Sequence, residues 1–171
     1  MKSANNIILA VAPATKRFGA VVFRNTEIIY FAVKPLKPPR TNESIKWEVS
    51  RSIENLLKEF SPKVIVLKSP SKQQLKSKQF KLIAQCAESK ARFHQIPAVR
   101  INFEKVKKLL CPNIKPTKAN AFKSLAAIYP ELRQFTGNSS KWRMQYYDIL
   151  LAAAALGYYH QTVLTETWSQ T

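Results

Sequence analysis

Asp148 is the only aspartate in this chain of 171 residues. Acid–base and metal chemistry both need carboxylates that converge, and here they are scarce. Ten acidic residues stand against twenty-eight lysines and arginines, a formal charge of +18, with a pI near 10.1. A surplus of that size favours a polyanion, because each phosphate neutralised by a cation releases counterions. The candidate phosphate contacts fall in groups: Lys16 and Arg17; Lys68, Lys72, Lys76, Lys78 and Lys81; Lys115 and Lys118; Lys141 and Arg143. Such contacts position a nucleic acid without reading its bases. The expected partner is nucleic acid.

Other chemistries find no residues to carry them. Cys86 and Cys111 lie far apart, there is no CxxC, and His94 and His160 are the only histidines, so no four-ligand zinc site can be assembled. Two such cysteines suit a reducing cytoplasm better than a disulfide scaffold. A Ser-His-Asp arrangement through Asp148 and His160 fails, because both fall on one helix, too far apart along it to face each other. The two histidines read as ordinary helix-end residues. With Gly19, Gly137 and Gly157 the only glycines, a phosphate-cradling glycine loop is excluded. The longest apolar run, 149–159, is too short to span a bilayer, and no amphipathic anchor or lipidation motif points to a membrane. The run IILAVAPA after Lys2 has the look of a signal peptide, but its apolar core is too short.

The elements that would position these groups start from Ile7 to Phe23, IILAVAPATKRFGAVVF. Two short runs rich in β-branched residues flank the turn 13–17, which predicts two paired strands. The first is apolar on both alternating faces, as a central strand covered on both sides must be. A third strand follows over 28–33. Three prolines between Lys34 and Arg40 then exclude both helix and central strand. A helical period over 45–60, with Asn42 or Ser44 as its cap, leads to a buried strand over 64–67, with Lys68 just past it.

A long helix is predicted over 75–93, its outer face carrying Lys78, Lys81, Gln85, Ser89 and Arg92. A passive surface would mix its signs, whereas this face is nearly all cationic. A short strand over 99–101 and a helix over 103–110 capped by Asn102 come next. Thr117 begins a further helix that Pro130 ends, and 131–141 reads as a loop. The last helix, 142–159, contains Ala152 to Ala155, which let it lie close to a sheet. The chain shows no internal repeat. It reads as one domain over 1–160 followed by a tail over 161–171.

Three strands in a meander, then helix, strand, helix, strand and further helices, is the order of an α/β ribonuclease H-like fold with a five-stranded mixed sheet. The residues extend the resemblance. ILAVAPATKRFGAVVF is similar to the opening ILxIDPGxxxxGxxV of RuvC-type Holliday junction resolvases. SRSIENLLKEFSPKVIVLKSP resembles that family's helix followed by a strand ending in glutamate. RINFEKVKKLLCPNIKPTKANAF resembles the segment in which a V-K pair precedes a glycine-flanked lysine helix. QYYDILLAAAALGYYH resembles the closing helix DAxDALAxAxxH. Together the motifs span residues 7 to 160.

The resemblance implies a two-metal nuclease and marks where its ligands belong. Two divalent cations about 3.5–4 Å apart must be gripped by several carboxylates. Here those positions hold Ala12, Lys68, Gln145 and Asp148, so only one carboxylate remains. One carboxylate and one amide cannot hold two Mg²⁺ ions, which require oxygen-rich octahedral shells. Glu27, Glu43, Glu54, Glu88 and Glu104 match no family site position. The family's glycine-rich loop is replaced by Pro112-Asn113-Ile114-Lys115-Pro116.

If the fold holds, a Lys68–Asp148 ion pair would substitute for the lost metal charge; the equal alternative is that Asp148 caps or pairs locally while Lys68 points to solvent. The resulting reading is a RuvC-like homologue without a catalytic set, metal or cofactor, which binds nucleic acid, branched DNA included. A homodimer is implied by the resemblance alone. Two alternatives stand beside it. One is an active Holliday junction endonuclease with a rearranged site, requiring Mg²⁺ or Mn²⁺. The other is an interaction protein that uses its basic surface on an acidic partner.

Overall fold

A computed structural model describes residues 5–136 and 141–164, with backbone alone for 141–145 and 164. Five strands form one sheet: β1 (Ile7–Pro13), β2 (Arg17–Arg24), β3 (Glu27–Pro35), β4 (Val64–Lys68) and β5 (Ala98–Ile101). Their order is β3-β2-β1-β4-β5. β1 pairs antiparallel with β2 and parallel with β4, and β5 is parallel to β4. The meander and the parallel strands are those that the sequence implied.

The doubly apolar pattern of β1 has its cause in two separate cores. Ile8, Ala10 and Ala12 pack on one face with α3 (Phe103–Leu110), α4 (Lys118–Ile128) and α5 (Lys141–Tyr159). Leu9 and Val11 pack on the other with α1 (Asn42–Phe60) and α2 (Lys78–Phe93). Burying a large aliphatic side chain contributes about 1.5–3 kcal/mol, so this alternation fixes the strand's register against both layers.

Local chemistry corrects several boundaries. The first turn is shorter than predicted: Ala14 N–H donates to the Arg17 carbonyl at 2.9 Å, and β2 starts at Arg17. Thr41, rather than Asn42 or Ser44, caps α1 by accepting from Ser44 N–H. The predicted 75–93 helix is split. Its first turn, Gln74–Lys76, is 3₁₀, and the Ser77 hydroxyl then accepts from Phe80 N–H to start α2 afresh. Pro130–Phe135, read as loop, is a 3₁₀ segment, since Leu132 is fully buried and Phe135 packs on Phe31 and Tyr147. Asn102 and Thr117 cap α3 and α4 as predicted. Beyond α5, residues 160–164 continue as a π-helical turn, while the remainder of the predicted tail, from 165, lies outside the described residues.

α5 lies flush on the sheet. A Cβ at Gly19 would stand 2.6 Å from the Ile149 carbonyl oxygen, and one at Gly157 would enter the Phe23 ring. Ala152 to Ala155, all buried, allow the same close approach between these contacts. Among the described residues no helix is long and apolar enough to cross a membrane.

Candidate functional site

The carboxyl ends of β1 and β4 lie side by side. Val11 is paired with Leu67, so one step further along the parallel ladder sets Ala12 beside Lys68. Ala12 shares the face of Ala10, and Lys68 that of Val66, both toward α5. Gly19 is the antiparallel partner of Ala12, and Ile149 rests directly on Gly19. The turn of α5 that carries Asp148 is therefore held over the end of β1. Of the four positions marked by the resemblance, Ala12 and Lys68 stand side by side, and α5 brings Asp148 to the same end of the sheet. The side chain of the fourth, Gln145, lies outside the described residues.

The expected Lys68–Asp148 pair does not form. Asp148 Oδ2 instead lies 3.9 Å from Lys118 Nζ, because Lys118 opens α4 immediately after the Thr117 cap and reaches the carboxylate first. Lys68 Nζ lies 5.1 Å from the centroid of the Phe103 ring, a cation–π contact with the first residue of α3. On α3 itself, Lys107 Nζ is 2.7 Å from Glu104. Burial, then the Lys118 and Lys107 charges, lower the Lys68 pKa to about 8, with Glu104 opposing them. Asp148 is raised by burial, which outweighs the attraction of Lys118.

This donor set does not fit a pair of divalent ions. Its two carboxylates, Asp148 and Glu104, are each paired with a lysine, and among the described residues no three of His, Cys, Asp and Glu stand close enough together to hold a metal ion. Lys107 belongs to the cluster although its sequence position did not mark it. Its spacing from Glu104 on an Asn102-capped helix was legible, but its proximity to Lys68 comes only from the β4–β5 pairing.

The remaining predicted cations distribute around this edge. Lys16 is exposed in the turn after β1, and the Arg17 guanidinium lies 5.1 Å from the Tyr146 ring centroid. Lys72 and Lys76 are exposed in the connection leaving β4, and Lys115 in the loop before α4. Lys78 and Lys81 lie on the exposed face of α2, which starts at this edge and runs back toward the start of β5. The side chains of Lys141 and Arg143 lie outside the described residues. A groove of about 540 Å³ lined by Trp47, Arg51, Glu54 and Lys90 lies on the α1–α2 layer and touches none of these residues. There Glu54 accepts from His94 at 2.8 Å and pairs with Lys90 and Lys58, tying α1 to α2. His94 is the residue that ends α2, as predicted.

No family model matches the sequence, and no curated protein matches it. Solved structures do. Thermus thermophilus RuvC in complex with Holliday junction substrate superposes with a TM-score of 0.67 at 12% identity, over 92% of this chain and 96% of that one. A second Thermus thermophilus RuvC structure gives 0.68 at the same identity and coverage. The yeast mitochondrial Holliday junction resolvase Ydc2 gives 0.62 at 11% identity, over 97% of this chain and 86% of that one. With its five-stranded mixed sheet in the order β3-β2-β1-β4-β5, the chain has the ribonuclease H-like fold of the RuvC-type Holliday junction resolvases.

Proposed function

We propose that this chain binds nucleic acid, branched DNA foremost, without the metal-dependent cleavage of the resolvases it resembles. The observation that carries the reading is the make-up of the edge where β1 and β4 end. Ala12 and Lys68 occupy positions where two-metal chemistry needs carboxylates, and Asp148 is engaged by Lys118. The charge of +18 and the lysines around that edge support a phosphate-rich partner. A solved relative in fold holds a Holliday junction substrate, which favours branched DNA over other polyanions. The homodimer implied by the resemblance belongs to the same reading, as does a reducing cytoplasm, where the buried free thiols of Cys86 and Cys111 would persist.

The test is a labelled four-way DNA junction incubated with the protein in EDTA, in Mg²⁺ and in Mn²⁺, with Asp148→Asn alongside. The expected result is an intact junction and a retarded band that weakens with salt equally in all three. Metal-dependent cutting that disappears in Asp148→Asn would overturn the reading in favour of a rearranged nuclease. An intact junction that stays unbound at low salt would favour a protein partner instead.

A further inference from the structure

We propose that the carboxyl ends of β1 and β4 form a metal-free seat for one phosphodiester group, held by the Lys68 ammonium with Lys107 and Lys118 flanking it. This rests on the nucleic-acid reading above and deepens it by naming where the backbone enters.

The first ground is placement. Lys68 is the last residue of β4, its backbone is fixed in the ladder opposite Ile101, and its ammonium stands over the Phe103 ring. The charge is thus presented at a defined point rather than swept through solvent. The second ground is that this half-buried ammonium lacks a counter-anion. Among the described residues no carboxylate lies within ion-pairing distance of Lys68: Glu104 on α3 is taken by Lys107 and Asp148 on α5 by Lys118 of α4. A partly desolvated charge without a partner is costly, and an incoming anion relieves that cost. Ala12, its neighbour on β1, brings neither charge nor a hydrogen-bonding group to oppose one.

The third ground is the charge count. Lys68, Lys107 and Lys118 against Glu104 and Asp148 leave one positive charge, the complement of a single phosphodiester. The Lys118–Asp148 contact is long at 3.9 Å, and the Lys118 side chain is 52% exposed, so it can turn toward a phosphate at little cost. Because burial and the two flanking lysines lower the Lys68 pKa to about 8, an anion in the seat restores its proton. Binding at this point is therefore coupled to pH around 8.

The experiment measures affinity for a fluorescent four-way DNA junction in EDTA at pH 7 and pH 9. It compares the natural protein with Lys68→Met, Lys68→Arg and, at the opposite end of β4, Lys63→Met. The natural protein should bind about tenfold more weakly at pH 9, as Lys68 loses its proton. Lys68→Met should bind about tenfold more weakly at pH 7 and lose the pH dependence. Lys68→Arg, which keeps its charge at pH 9, should bind at both pH values as the natural protein does at pH 7. Lys63→Met should behave as the natural protein does. If Lys68→Met keeps the natural affinity and pH profile, the seat is refuted while nucleic-acid binding stands. If the natural protein binds no junction at either pH, both fail.

Discussion

Lys118 Nζ, at the start of α4, stands 3.9 Å from Asp148 Oδ2 on α5. This contact joins the only aspartate of the chain to the helix that follows the proline-bounded loop 112–116, and it leaves Lys68 to the Phe103 ring. Both charges of the pair are partly solvated, so the contact is worth no more than about 1 kcal/mol. It neutralises a carboxylate that would otherwise repel phosphate from this edge.

Asp148→Asn should therefore strengthen nucleic-acid binding, by about twofold to fivefold at low salt, as one negative charge is removed beside the proposed phosphate seat. It should leave folding unharmed. Burial raises the Asp148 pKa above its unfolded value, so the folded state favours the protonated form. The resulting stability is fully present below the unfolded pKa of 3.8 and is lost as pH rises through the folded value. Near neutral pH the neutral amide should be level with or slightly more stable than the carboxylate. Denaturant unfolding at pH 7 and junction titration read the two effects separately, and weakened binding would reverse the role assigned to Asp148.

Lys68→Met should stabilise the protein at pH 7. The folded pKa of about 8 lies below the ordinary 10.5, so the ammonium form is disfavoured by folding. Below about pH 8 both states carry the proton and the full penalty is present. Between about 8 and 10.5 the unfolded chain binds more protons, so stability rises with pH through that window. Allowing for solvent screening and the cation–π contact, the gain at pH 7 is about 1–2 kcal/mol. The measurement is the difference in unfolding free energy between the two proteins from pH 7 to 10.5. It should shrink steadily, and a constant or growing difference would show that Lys68 is not desolvated.

Much of this architecture is legible in the residues themselves. The both-faces-apolar β1, the Asn102 and Thr117 caps and the alanine run of α5 each follow from local rules. Three cap formers within four residues, Thr41, Asn42 and Ser44, leave the start of α1 open, since only the backbone path selects among them. The break at Ser77 is hidden because the helical period continues through it. At the site, Ala12, Lys68 and Asp148 are located by the resemblance; the sheet pairing sets Ala12 beside Lys68, and the seating of α5 on Gly19 brings Asp148 to the same end. The partner of Asp148 is illegible, because Lys68 and Lys118 are equally charged and reach is set by where α4 begins.

Two or three cations changed together, such as Lys16→Ala with Arg17→Ala, or Lys72→Ala with Lys76→Ala, should weaken binding of all sequences alike. The slope of log affinity against log salt should fall by about 0.9 for each phosphate that is no longer neutralised. These side chains are exposed or stacked on a ring, so unfolding free energies should hardly change. A variant that altered sequence preference while keeping the salt slope would indicate base contacts rather than backbone ones.

Gly19→Ala tests whether the approach of α5 to the sheet is what sets this edge. The added methyl would stand 2.6 Å from the Ile149 carbonyl oxygen and 2.9 Å from its Cγ2. The first of these is backbone, which cannot rotate away, so α5 must lift from β2 and carry Asp148 with it. The expected cost is about 1–3 kcal/mol in denaturant unfolding. Because Asp148 and Lys118 would separate, the effect of Asp148→Asn on junction affinity should shrink when combined with Gly19→Ala. Additive effects on affinity would mean that Asp148 acts independently of how α5 rests on Gly19.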